Sequence, residues 1–131
     1  MKNWLKAINV AVIIAAIFGG IFLRDLNSYR QMIEGITFSK VDIGVVPDGT
    51  YNGEYDAGMI YARVSVVVKD GEITTIKLLE HKNGRGAAAE KIINEMVRMQ
   101  TIDVDAVSGA TNSSKVIKKA VDNALPGSIQ K

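Results

Sequence analysis

The chain has no cysteine. That excludes disulfides, thiolate metal sites, iron–sulfur ligation and a lipidated N-terminal cysteine. There is a single histidine, His81, so a multi-histidine metal centre is not expected. Proline is scarce, with two residues, and no internal repeat or low-complexity segment is present. An excess of one charge is also lacking. Sixteen Lys and Arg against fourteen Asp and Glu leave a formal net charge of +2. No clustered basic patch with interleaved aromatics occurs, so no nucleic-acid partner is expected. The remainder, 47% hydrophobic and 23% charged over 131 residues, suits one globular domain plus an appendage.

What is present begins with an apolar run. "MKNWLKAINVAVIIAAIFGGIFLRD" has two lysines and then apolar residues from Ala7 to Leu23, broken by Asn9. As a helix this run covers roughly 26 Å, close to the roughly 30 Å of a bilayer's hydrocarbon core. Trp4 suits the interface. A cleaved signal peptide would carry small residues two apart near the end of the run, and no such pair lies between Val10 and Arg30. An uncleaved anchor that contacts the lipid bilayer is therefore expected over residues 1–34. Lys2, Lys6 and the α-amine against Arg24 and Arg30 lean towards an N-terminus inside, placing the domain outside a bacterial cytoplasmic membrane.

The rest reads as one small α+β domain: a small antiparallel sheet packed with two helices, preceded by the N-terminal transmembrane helix. "LNSYRQMIEGITFSK" should continue the helix and break near Gly35. Residues 35–46 read as a linker, 47–126 as the domain and 127–131 as a tail. "TYNGEYD" is a short strand. In "MIYARVSVVVK", Ile60, Ala62, Val64, Val66 and Val68 share one face, as a half-buried strand requires. Asp70-Gly71 is a two-residue hairpin signal, and "ITTIKLLE" returns as the partner strand. After a loop at Gly84-Arg85-Gly86, residues 87–100 form a helix with Ala88, Ala89, Ile92, Ile93, Met96 and Val97 inward. A last helix from about Asn112 to Leu125 buries Val116, Ile117, Ala120, Val121 and Ala124 and exposes Lys115, Lys118, Lys119 and Asp122. Pro126-Gly127 ends it.

The most informative stretch is "DAVSGATNSSKVIKKAVDNAL", Asp105 to Leu125. A polar loop of small residues runs straight into an amphipathic helix. One capping residue suffices for a helix start, yet Ser108, Thr111, Asn112, Ser113 and Ser114 cluster here. A helix N-terminus offers unpaired N–H groups and a partial positive charge, hence an anion site. Gly109 and Ala110 would let the backbone approach a ligand. Spacing alone favours a polar N-cap over an anion site.

"DAVSGAT" resembles the Asp-x-x-Ser/Thr-Gly-Ala-Thr signature of the FMN-binding domain family. That family includes subunits of the sodium-translocating NADH:quinone reductase and of the Rnf complex, together with small extracytoplasmic domains. "PDGTYNGEYDAG" resembles the family's opening segment, and "ARVSVVVKDGEITTIKLLEH" its central hairpin. The resemblance implies that a flavin transferase moves the FMN moiety of FAD onto the Thr111 hydroxyl as a phosphoester. Asp105, Ser108, Gly109 and Ala110 would be recognised by that transferase. Ser113 and Ser114 would donate to the phosphate, and Ser108 or Asn112 would cap the helix. Gly53, Gly58 and Met59 fall where the family's Gly-rich strand approaches the cofactor. His81 would either lie near the flavin ring or face solvent. "HKNGRGAAA" lacks the Glu-Thr that often follows the hairpin His in relatives, so any cover over the ring differs here.

These features imply an anchored extracytoplasmic electron carrier with covalent FMN, linking a membrane quinone or dehydrogenase to an external redox partner. No acid–base or nucleophile constellation for turnover is evident, and Thr111 would be the substrate of another enzyme. The alternatives are a non-covalent FMN binder or sensor, and a membrane-tethered interaction protein without cofactor.

Overall fold

The computed structural model describes residues 2–39, 41–82 and 86–126, with residues 86–89 described as backbone. Of the loop expected at Gly84-Arg85-Gly86, Gly86 instead opens a helix, while Gly84 and Arg85, the side chains of Ala88 and Ala89, and Gly127 with the tail lie outside the described residues. α1 spans Lys2–Glu34 and stops at Gly35, whose N–H donates to the Gln31 carbonyl at 2.9 Å. An 18-residue window of α1 has a mean hydropathy of 2.2 and no burial within the protein. By length and composition this helix can cross a membrane. At about 1.5 Å per residue it is roughly 50 Å long, well beyond a hydrocarbon core of about 30 Å. Its last turns behave differently: Ile33 is buried and Tyr29 packs on the domain core.

The sheet is a three-stranded antiparallel meander in the order β1 (Gly49–Asp56), β2 (Tyr61–Lys69), β3 (Glu72–Lys82). Ala62, Val64, Val66 and Val68 are fully covered, and Ile60 just ahead of them is buried, so the alternation seen in the sequence is the core face of β2. The β2–β3 hairpin turns at Asp70 and Gly71, both with positive φ (52° and 75°), which matches a tight primed turn. β3 departs from strict alternation. Val67 pairs with Thr75 and Val68 with Ile73, while Arg63 pairs with Glu80 and Val64 with Leu78. Thr74 and Leu79 are therefore extra residues, and each bulge flips the strand's facing. Ile73 and Ile76 are both buried although three residues apart.

α2 (Gly86–Met99) and α3 (Thr111–Ala124) cover the apolar sheet face, α2 against β3 and α3 against β1 and β2. Ile92, Ile93 and Met96 of α2 meet Val116, Ile117, Ala120 and Val121 of α3 in one core. α3 lies very close to β1. A Cβ at Gly53 would sit 2.7 Å from Ala124 Cα and overlap Ala120 O and Ala124 N. Gly53 is thus required by this packing. The described residues of the connection 35–46 lie on the domain: Ile43, which opens a short 3-10 turn, and Val46, which follows it, are buried, and Ile36 and Val41 pack on the same core.

None of the four α3 residues expected to be exposed is so; Lys115 and Lys119 are half-buried. Lys118 and Asp122 are buried, not exposed. The cause is the segment after α1. The Ser39 N–H donates to both Asp122 carboxylate oxygens at 3.2 Å. Lys119 Nζ donates to Asp122 Oδ2 at 3.0 Å and to the Thr37 carbonyl at 2.8 Å. Lys118 Nζ donates to the Val104 carbonyl at 2.7 Å and lies 4.9 Å from the centre of the Phe38 ring. A buried carboxylate needs such partners, because its desolvation is otherwise uncompensated.

Candidate functional site

The loop before α3 is shaped by its own backbone. The Val104 N–H donates to Ile102 O at 2.8 Å, and the Ala110 N–H to Val107 O at 3.0 Å. Gly109 has a φ of 78°, a conformation costly for residues with a Cβ. Ala110 occupies the N-cap position without a side-chain cap. Neither Ser108 nor Asn112 stands at the N-cap position expected for one of them, and both side chains are exposed. The reason is visible in Ser114. Its hydroxyl donates to Ala110 O at 2.8 Å and accepts from the Val107 N–H at 3.1 Å. One buried serine from inside the helix thereby pins the loop, and the N–H groups of the first turn receive no side-chain acceptor among the described residues. Their partial positive charge remains available to an outside anion.

Thr111 and Asn112 are exposed, whereas Ser113 is buried. They open on a cleft of about 390 Å³ lined by Tyr29, Ile60, Gly109, Ala110, Thr111, Asn112 and Ser113. None of these carries a carboxylate, so nothing in the lining repels an anion. The cleft thus joins three pieces of chain: the end of α1, the residue before β2, and the α3 N-terminus. Gly109, Ala110, Thr111 and Ser113, expected from the sequence, come together here. Ser114 points inward and its hydroxyl hydrogen is already donated.

The other expected residues lie elsewhere. Gly58 and Met59 line a neighbouring cleft with Asp56, Tyr61, Glu80 and Lys82, and Gly58 has a φ of 92°. Ile60, the next residue but one, reaches the Thr111 cleft instead. Asp105 is exposed and borders a third hollow with Lys91, Asn94, Glu95 and Val107, on the α2 side of the loop. His81 pairs with Ala62 across the sheet and is half-buried rather than solvent-facing. Its Nε2 is buried without a hydrogen-bond partner among the described residues, and burial holds its pKa below the ordinary imidazole value. The second bulge of β3 turns His81 to the same side as Leu78, a consequence invisible to simple alternation.

The outer sheet face is polar. Tyr61 donates its hydroxyl to Glu54 at 2.6 Å, and that hydrogen bond, above all, raises the phenol's pKa. Arg63 pairs with Glu80 at 2.6 Å. Tyr51 bonds the Pro47 carbonyl, and Tyr55 packs on the core, its pKa raised by burial. These strand tyrosines act in packing and surface hydrogen bonding.

Sequence reasoning missed Tyr29 and Ile60. A signal for Tyr29 was present: Tyr29 and Ile33 are four apart, on one helix face, just past the charged residues that close the apolar run. Against known families, the model of the FMN-binding domain family matches residues 57–126. That is more than half of the chain, and it takes in β2, β3, both domain helices and the whole Asp105–Ser114 loop.

Proposed function

The chain belongs to the FMN-binding domain family, and we propose that it carries FMN covalently on Thr111 and acts as a membrane-anchored, extracytoplasmic electron carrier. One observation carries the reading. In a family member, the signature threonine is exposed on the first turn of a helix whose N–H groups have no side-chain cap. The arrangement suits a phosphoester: the helix end neutralises the phosphate, and Gly109 and Ala110 leave the hydroxyl accessible to a transferase. Transfer from FAD forms the Thr111 Oγ–phosphorus bond and breaks the FAD pyrophosphate bond, releasing AMP and the hydroxyl proton. Bound FMN supplies the redox chemistry, accepting two electrons and passing them on singly. The protein's part is to hold the phosphate at the α3 N-terminus and to wall the cleft with Tyr29 and Ile60. The anchor is α1, and the flanking lysines favour its N-terminus inside. A membrane quinone or dehydrogenase on one side and an external redox partner on the other fit such a carrier.

Co-expression with a flavin transferase, followed by a denaturing gel viewed for flavin fluorescence, tests this. The wild-type band should fluoresce, and Thr111→Ala should be dark with its stability within about 0.5 kcal/mol of wild type. Flavin that is lost on denaturation would favour a non-covalent binder. A Thr111→Ala band that still fluoresces would sink the assignment.

A further inference from the structure

The Thr111 cleft is not built by the FMN-binding domain alone. Tyr29, one of its lining residues, belongs to α1, the helix whose apolar run ends at Leu23. Resting on the Thr111 assignment above, we propose that the site is a membrane-surface site: α1 supplies its wall through Tyr29 and holds the Thr111-bound flavin against the lipid headgroup layer.

The distance follows from helix geometry. Tyr29 lies six residues past Leu23, roughly 9 Å along an unbroken helix. The headgroup layer on each side of a bilayer is about 5–8 Å deep. Tyr29, and the cleft with it, thus stands at the outer margin of the headgroups. α1 is continuous through Glu34, so no flexible joint intervenes between the span and the wall. Ile33, one turn further on, is 4% exposed, which docks that face of α1 into the domain.

The docking is reinforced from the far side. Ser39 and Thr37 are held by Asp122 and Lys119 of α3. The helix that presents Thr111 is therefore tied to the chain leaving α1. The tie lies about two to three turns along α3 from Thr111, so α1 and the chain leaving it meet α3 at two separated points. Two points fix an orientation where one would leave a swivel. An aromatic phenol at the margin of the headgroups is also what an interface accommodates.

The test uses the full-length flavinylated chain in lipid vesicles and reads flavin fluorescence. Nitroxide spin labels on the lipid headgroups should cut it by about half, and labels deep in the acyl chains far less, as expected for a fluorophore at the headgroup layer. Flavin fluorescence indifferent to both labels would overturn the placement. Iodide in solution tests the wall: Tyr29→Ala should about double the quenching, while Tyr29→Phe keeps the ring and stays at the wild-type level. Equal iodide quenching in all three proteins would overturn the role of Tyr29. Failure of the covalent reading itself is told apart by the absence of flavin on a denaturing gel. Any preparation used for quenching carries flavin by that criterion.

Discussion

The two ends of α3 spend their polar groups in opposite ways. At the C-terminal half every polar side chain described is committed: Lys118 to Val104, Lys119 to Thr37 and Asp122, Asp122 to Ser39, Asn123 to the Glu54 carbonyl. That end also meets β1 backbone to backbone at Gly53. At the N-terminal end, Ser113 and Ser114 are buried, while Thr111 and Asn112 stand exposed and the N-cap residue makes no side-chain cap. The saturated end holds the helix in place. The unsaturated end is what a fixed helix can then offer to a ligand, and its cost is limited because water solvates the exposed N–H groups.

The comparison is broken most severely at Gly53. Gly53→Ala puts a methyl group into the backbone of α3, and unfolding in urea should show a loss of about 3–5 kcal/mol. Asp122→Ala comes next. It strips the Ser39 N–H and Lys119 of their acceptor and should cost about 2–3 kcal/mol by the same measurement, moderated because Lys119 keeps the Thr37 carbonyl. Ser114→Ala tests the boundary between the two ends. It leaves the Val107 N–H unpaired and should cost about 1–2 kcal/mol, with faster amide exchange at Val107 than in the rest of the loop. An unchanged Val107 exchange rate would show that the loop is held by something other than Ser114.

The smallest effect concerns His81. Burial lowers its pKa from 6.5, so the folded state keeps the ring neutral at a pH where the unfolded chain binds a proton. Its share of stability is complete above the unfolded value and is lost as pH falls through the depressed folded value. Between pH ~7 and pH ~5 the wild type should therefore lose slightly more stability than His81→Gln.

Much of this was visible in the chain itself. Period-two alternation marked the core face of β2, Asp70-Gly71 marked its hairpin, and the apolar stripe of α3 was placed correctly from Val116 to Ala124. These features arise from local chemistry or from a single buried face. The burial of Lys118 and Asp122 was not visible, because it is produced by Thr37, Phe38 and Ser39, about eighty residues away in sequence. The reason for Gly53 was hidden likewise, since a close approach of two backbones leaves no periodic trace. At the site, the loop motif marked the α3 N-terminus, and the chemistry proposed for Thr111 came from resemblance. Tyr29 and Ile60 escaped because a cleft made of three chain segments is a tertiary fact. The bulges at Thr74 and Leu79 reset the facing of β3 and so hid the inward turn of His81.

The packed connection between α1 and β1 has a kinetic consequence. A domain on a slack tether sweeps a hemisphere and can deliver its cargo to partners that stand still. With Ile33, Ile36, Val41, Ile43 and Val46 all seated on the core, the carrier proposed above would have little reach of its own. Its encounters become a two-dimensional problem, governed by lateral diffusion and by the number of partners per unit area of membrane. Crowding in the membrane plane would then set its traffic, and the bulk concentration of a soluble acceptor would matter only for partners able to descend to the surface.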